Sequence, residues 1–82
     1  MTVRKSEIER STRETRISVS LDIDGTGKFD VESDIQFLKH MTETLARYAS
    51  FDLVMKAEGD NDHHIIEDCA ITVGKAIRDA LD

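Results

Sequence analysis

Residues 17–23 alternate without a break, with Ile17, Val19, Leu21 and Ile23 apolar and Ser18, Ser20 and Asp22 polar. A period of two marks a strand with one buried face, so the fold must bring something apolar against that face. The next residues, Asp24-Gly25-Thr26-Gly27, supply two positions that tolerate positive φ, a hairpin signal. Phe29 and Val31 then resume the alternation as the expected returning strand, and Val3 and Ile8 suggest a further strand over about residues 3–10.

Helical spacing follows. Ser33-Asp34-Ile35-Gln36 has the Ser-x-x-Gln form of a capping box, and Leu38, Met41, Leu45, Tyr48 and Ala49 recur as one apolar stripe behind it. Phe51, Leu53, Met55 and Ala57 alternate again as a fourth strand, closed by Gly59. A last helix carries Ile66, Cys69, Ala70, Val73, Ala76, Ile77 and Ala80 on one face. The expected order is βββαβα over residues 1–82, an α+β unit with a four-stranded sheet packed on two helices.

Eighty-two residues make one domain at most. A chain of this size buries only roughly 60–65% of the surface that its unfolded form exposes, so alone it is marginal. The formal charge of −6 argues against nucleic acid, which selects basic grooves. No apolar run reaches the roughly eighteen residues that a membrane span needs. The N-terminus, Met1 to Ser6, has no apolar core of the secretory kind, and a single cysteine, Cys69, makes no internal disulfide. A reducing cytosol is therefore expected.

The chemistry concentrates in Gly59-Asp60-Asn61-Asp62-His63-His64-Ile65-Ile66-Glu67-Asp68. Imidazole nitrogens and a carboxylate suit a borderline transition metal. At about 100° per residue His63 and Glu67 share a helix face, whereas His64 points about 100° away from His63. Two half-sites follow, each needing ligands from elsewhere, and His40, off the apolar stripe of its own helix, could supply one. Spacing alone leaves two readings open, because adjacent histidines at a helix start are also ordinary surface residues and Glu67 suits the helix dipole. On the same footing Cys69 reads as a core residue, and Asp60, Asp62 and Asp68 as capping and solvation. Arg10-Ser11-Thr12-Arg13-Glu14-Thr15-Arg16-Ile17 reads either as a functional constellation or as a charged strand start with Glu14 neutralised by arginines.

Taken together, these segments resemble the N-terminal half of the imidazoleglycerol-phosphate dehydratase family of histidine biosynthesis. The family's Arg-x-x-x-x-x-Arg-x-Thr-x-Glu-Thr-x-Ile is matched from Arg4 to Ile17, with Arg10, Thr12, Glu14 and Thr15 in place. Its glycine turn falls at Asp24 to Gly27, and its Phe-Leu-Asp-His-Met at Phe37-Leu38-Lys39-His40-Met41. Phe51-Asp52-Leu53, Gly59-Asp60 and the His-His-x-x-Glu-Asp run His63 to Asp68 complete the match in order. Lys39 stands in place of the usual aspartate, so the carboxylate that supports the histidine in the family is replaced by an amine beside His40. Tyr48-Ala49 replaces a common His-Gly pair, and the loop from Gly59 to His63 is short. The family chain is a tandem duplication of two such halves, and the second is missing here.

What the resemblance implies is a ribosomal protein S5 domain 2-like half-domain and the manganese-dependent dehydration of imidazole glycerol phosphate to imidazole acetol phosphate. In that scheme His63 and Glu67 serve one Mn2+ ion, and His40 and His64 the other. Glu14 is the acid–base group, and Arg10 helps to bind substrate. Phosphate contacts come chiefly from the second half or another subunit in the family, and no glycine-rich cradle for them is visible here. Two halves pack their helix pairs between two sheets in the family, so two copies of this chain are expected to self-associate. Three functions then compete: an active dehydratase assembled from such copies, a folded but inactive half, and a small metal-binding or interaction module.

Overall fold

A computed structural model describes residues 4–82. Val3, expected to open the first strand, lies outside the described residues, as do Met1 and Thr2. The chain folds in the order β1 (Lys5–Ser11), β2 (Thr15–Asp22), β3 (Phe29–Glu32), α1 (Gln36–Ala49), β4 (Asp52–Gly59) and α2 (Asp62–Leu81). The expected α+β class and element order are what is found.

The sheet order is β1-β2-β4-β3. β1 and β2 form a hairpin, antiparallel from Lys5 opposite Asp22 to Ser11 opposite Arg16. The expected hairpin between β2 and β3 does not form. Instead β4 lies between them, antiparallel to β2 along all eight of its residues and parallel to β3 from Phe29 opposite Leu53 to Glu32 opposite Lys56. The reason lies in α1: a helical crossover from β3 to β4 makes those strands parallel neighbours. With eight residues to pair, β4 offers β2 a longer ladder than β3, which has four.

The glycine segment is accordingly a crossing over the start of β4 and not a tight turn. Asp52 Oδ1 accepts the backbone N–H groups of Thr26 and Lys28, both at 3.0 Å, and Leu53 N–H donates to the Lys28 carbonyl at 2.9 Å. Here Gly25 is needed for space, since a Cβ on it would stand 2.4 Å from Asp52 Cγ and 2.6 Å from its backbone nitrogen.

Ile17, Val19 and Leu21 of β2 and Leu53, Met55 and Ala57 of β4 form the centre of the core, joined by Val31 and by residues of both helices. α2 packs across β1, β2 and β4, and α1 over β3. The opposite sheet face is polar except for the exposed Val54, with cross-strand ion pairs Lys5–Asp22, Arg16–Glu58 and Lys56–Glu32 at 3.6–3.9 Å. No helix among the described residues is long and apolar enough to cross a membrane.

α1 buries a different arc from the one expected, while α2 keeps the expected Cys69, Val73, Ala76, Ile77 and Ala80 against the core and turns only Ile66 and Ala70 outward. α1 presents Leu38, Thr42 and Ala46 to the sheet, leaving Phe37 and Tyr48 68% and 79% exposed and Met41 and Leu45 also exposed. α2 buries Ile65, Asp68, Cys69, Thr72, Ala76 and Ala80, while Ile66 and Ala70 lie outside. Inward threonines made the difference. Thr42 and Thr72 donate their hydroxyls to the carbonyls of Leu38 and Asp68, at 2.8 and 2.7 Å, so each is buried without an unmet polar group.

The capping box is also absent. Ile35 is the N-cap of α1 with no side-chain cap bond, and Ser33 Oγ accepts from Ile35 N–H at 3.1 Å. Serine has taken the local turn bond instead, which makes Gln36 the first helical residue.

Candidate functional site

The turn between β1 and β2 and the start of α2 meet at one end of the sheet. Thr12 builds the turn: its Oγ1 accepts from the N–H groups of Glu14 and Thr15, at 3.1 and 3.0 Å, and its own N–H donates to the Thr15 carbonyl at 2.8 Å. The Glu14 carbonyl in turn accepts from Asp60 N–H at 2.9 Å, joining the turn to the loop that enters α2. Gly59 permits this approach, because a Cβ there would lie 2.7 Å from the Glu14 carbonyl oxygen and 2.8 Å from Ile65 Cγ1.

Beneath the turn lies a group that sequence reasoning assigned to solvation. Asp68, on the buried face of α2, takes Arg10 Nε–H on Oδ1 at 3.1 Å and the Thr15 hydroxyl on Oδ2. These bonds, the Thr15 hydroxyl foremost and then the guanidinium, hold its carboxyl below the usual aspartate range against the cost of burial. The signal was present in the strands. Arg10 has the parity of inward Ser6 and Ile8, and Thr15 that of Ile17, so both had to meet a polar partner inside. Asp68 sits three residues after buried Ile65 and four before buried Thr72. Arg10 is thus engaged by Asp68 and Arg16 by Glu58, so neither is a neutralising partner of Glu14.

His63 and His64 have different carboxylate partners. His63 Nε2 lies 3.4 Å from Glu67 Oε2, one turn along the helix, and both side chains are largely exposed. The His64 ring is tilted 54° to that of His63, with the centroids 6.1 Å apart. His64 N–H is capped by Asn61 Oδ1 at 3.0 Å, and His64 Nδ1 lies 3.0 Å from Asp60 Oδ1. Asn61 Nδ2 also comes within 3.1 Å of that nitrogen, but a carboxylate can only accept, so Nδ1 carries the proton. The bond to Asp60 raises the imidazole's hold on its proton, and the nearby charges of Glu14 and Glu67 add to this.

His40 stands apart, exposed near the start of α1. Among the described residues no three His, Cys, Asp or Glu side chains gather as a set able to hold an ion. The fold sets His63 beside Glu67 and His64 beside Asp60, with the Glu14 charge felt at His64, and leaves His40 on another helix. As chemistry the set still fits a transition metal. With Nδ1–H held by a carboxylate, His64 keeps Nε2 and its lone pair for a ligand, the arrangement common behind metal-bound histidine.

Residues 33–82 match the family model described as imidazoleglycerol-phosphate dehydratase. A relative of that name from Cereibacter sphaeroides (strain ATCC 17029 / ATH 2.4.9) is 48% identical over 82 residues, covering 96% of this chain. The chain belongs to this family. An imidazoleglycerol-phosphate dehydratase from Brucella suis is 49% identical over 81 residues. The chain spans 42% and 40% of these two relatives' lengths. Among solved structures, the imidazoleglycerol-phosphate dehydratase of Staphylococcus aureus subsp. aureus N315 superposes with a TM-score of 0.86 at 20% identity, over 96% of this chain and 52% of that one. The Pyrococcus furiosus enzyme gives 0.67 at 21% identity, over 95% and 48%. At these identities the likeness concerns the fold.

Proposed function

We propose that residues 1–82 form one half-domain of a dehydratase unit that converts imidazole glycerol phosphate to imidazole acetol phosphate in the cytosol. The observation that carries this reading is the meeting of the Glu14 turn with the His63–Asp68 helix start, two family motifs far apart in sequence. His63 with Glu67, and His64 through Nε2, would each hold one Mn2+ ion, with His40 completing the second set from another copy or half. Such ions would supply a Lewis acid that makes the substrate's imidazole ring electron-rich. Glu14, exposed at the tip of its turn, would move the proton at the carbon beside the departing hydroxyl. Arg10, its Nε held by Asp68, would have only its outer guanidinium nitrogens to offer a substrate.

Since no three donors gather among the described residues, the working unit would be an assembly in which helix faces of two copies pack together and exchange ligands. The rival reading, a folded but inactive half, draws on the same incompleteness. The test is turnover of imidazole glycerol phosphate with added manganese, alongside calorimetric titration of the metal. Turnover in the wild type is expected, with Glu14→Gln lowering kcat about 10²–10⁴-fold while manganese still binds. Full turnover by Glu14→Gln would remove the acid–base assignment, and no turnover from folded wild type would leave the inactive half.

A further inference from the structure

We propose that Asp68 is a positioning residue of this site: its carboxylate, gripped by Arg10 and Thr15, fixes the β1–β2 turn against α2 and so sets where Glu14 stands relative to His63, His64 and Glu67. The catalytic consequence rests on the dehydratase reading above; the geometric part does not.

Glu14 has an exposed side chain, and its placement comes from its backbone. Its N–H is held by Thr12 and its carbonyl by the Asp60 N–H. Thr12 Oγ1 lies 3.2 Å from Thr15 Oγ1, and the Thr15 hydroxyl goes on to Asp68. The chain of bonds therefore runs from Glu14 through Thr12 and Thr15 to one buried carboxylate. Asp68 uses both oxygens, one on each strand of the hairpin, since Arg10 is the last residue but one of β1 and Thr15 opens β2. A carboxylate held at both oxygens has its plane fixed, so the hairpin is anchored in orientation as well as in distance. Asp68 also directly follows Glu67, one of the proposed ligands, on the same rigid helix. Acid–base group and metal ligands are thereby referred to a single helical turn. A displacement of about 1 Å at a reacting group can cost about a hundredfold in rate, so such an anchor has kinetic weight.

Asparagine is the informative replacement. Its volume matches, and Thr15 could rotate its hydroxyl to suit either amide atom, but the amide oxygen can serve only one of the two former donors and the pair with Arg10 loses its charge. Thr15→Val removes the hydroxyl from the other side, and Thr15→Ser restores it.

The experiment joins amide hydrogen exchange with steady-state kinetics on the full chain. In Asp68→Asn and Thr15→Val, exchange at the amides of Thr12, Thr15 and Asp60 should quicken by about tenfold or more, as expected when a buried hydrogen bond is lost. The amides in the middle of α2 should hold their wild-type rates, and Thr15→Ser should return the turn to them. Where the wild type turns over, the same two variants should lower kcat by about ten- to a hundredfold with manganese affinity kept. Added to Glu14→Gln, Asp68→Asn should cost little more, because both act through one group. Wild-type exchange rates at the turn in Asp68→Asn would overturn the proposal even in an active protein. So would an additive loss in the double variant. If the wild type shows no turnover, the dehydratase reading fails by itself, and exchange at the turn alone decides whether Asp68 is the anchor.

Discussion

At Cys69, burial pushes the thiol up to about 11, with the neighbouring Asp68 charge adding to the effect. A thiol attacks as its thiolate, so this one is inert at neutral pH. Native protein should leave a disulfide reagent such as Ellman's unreacted over minutes, and one thiol per chain should appear on denaturation; rapid native reaction would mean that the helix opens readily. Ser50 presents the opposite opportunity. It closes α1 with φ 57° and ψ 34°, left-handed values that cost a side chain about 1–2 kcal/mol, while Phe51 N–H satisfies the Ala46 carbonyl at 2.9 Å. Ser50→Gly should raise stability by about 1 kcal/mol in urea unfolding, since glycine is free in that region. Both residues looked ordinary as letters: Cys69 was legible as core from its place in a helical period, whereas Ser50 showed nothing until the backbone around it was known.

Among the elements, the crossing from β2 to β3 depends on Asp52, whose carboxyl is held below its ordinary value by the N–H of Thr26, then by that of Lys28. The folded state binds this proton more weakly than the unfolded chain. The contribution is therefore complete above the ordinary aspartate value of about 3.9 and is lost as pH falls below it. Asp52→Asn should flatten this acid-dependent part of the stability profile, measured by thermal melting between pH 6 and pH 2; an unchanged slope would show that the loop does not rely on the charge. The elements themselves were legible because period two and period 3.6 are local properties. Their faces were less so, since hydropathy counts Thr42, Thr72 and Asp68 as surface although each is satisfied inside. The expected capping box failed for a related reason: Ser33 had a nearer donor in Ile35.

For the molecule as a whole, the sheet covers only part of each helix. Phe37, Met41, Leu45 and Tyr48 leave one apolar arc along α1, and Ile66 and Leu81 stand out on α2. A patch of that kind on a small domain is a contact surface in waiting. Sedimentation should find an associated species, and Phe37→Asp with Met41→Asp should shift it to monomer while circular dichroism stays native; a wild-type monomer at high concentration would count against assembly by these faces. The sequence by itself determined the strand face of Ile17, Val19 and Leu21, the order of elements, and the divergence of His64 from the His63–Glu67 pair, because each follows from how neighbouring residues repeat along a helix or strand. Only the tertiary structure decided that β4 lies between β2 and β3, and that Asp68 meets Arg10 and Thr15, 58 and 53 residues away. No local period specifies a partner so distant; it is chosen when strands of unequal length compete for a neighbour and buried polar groups must find each other.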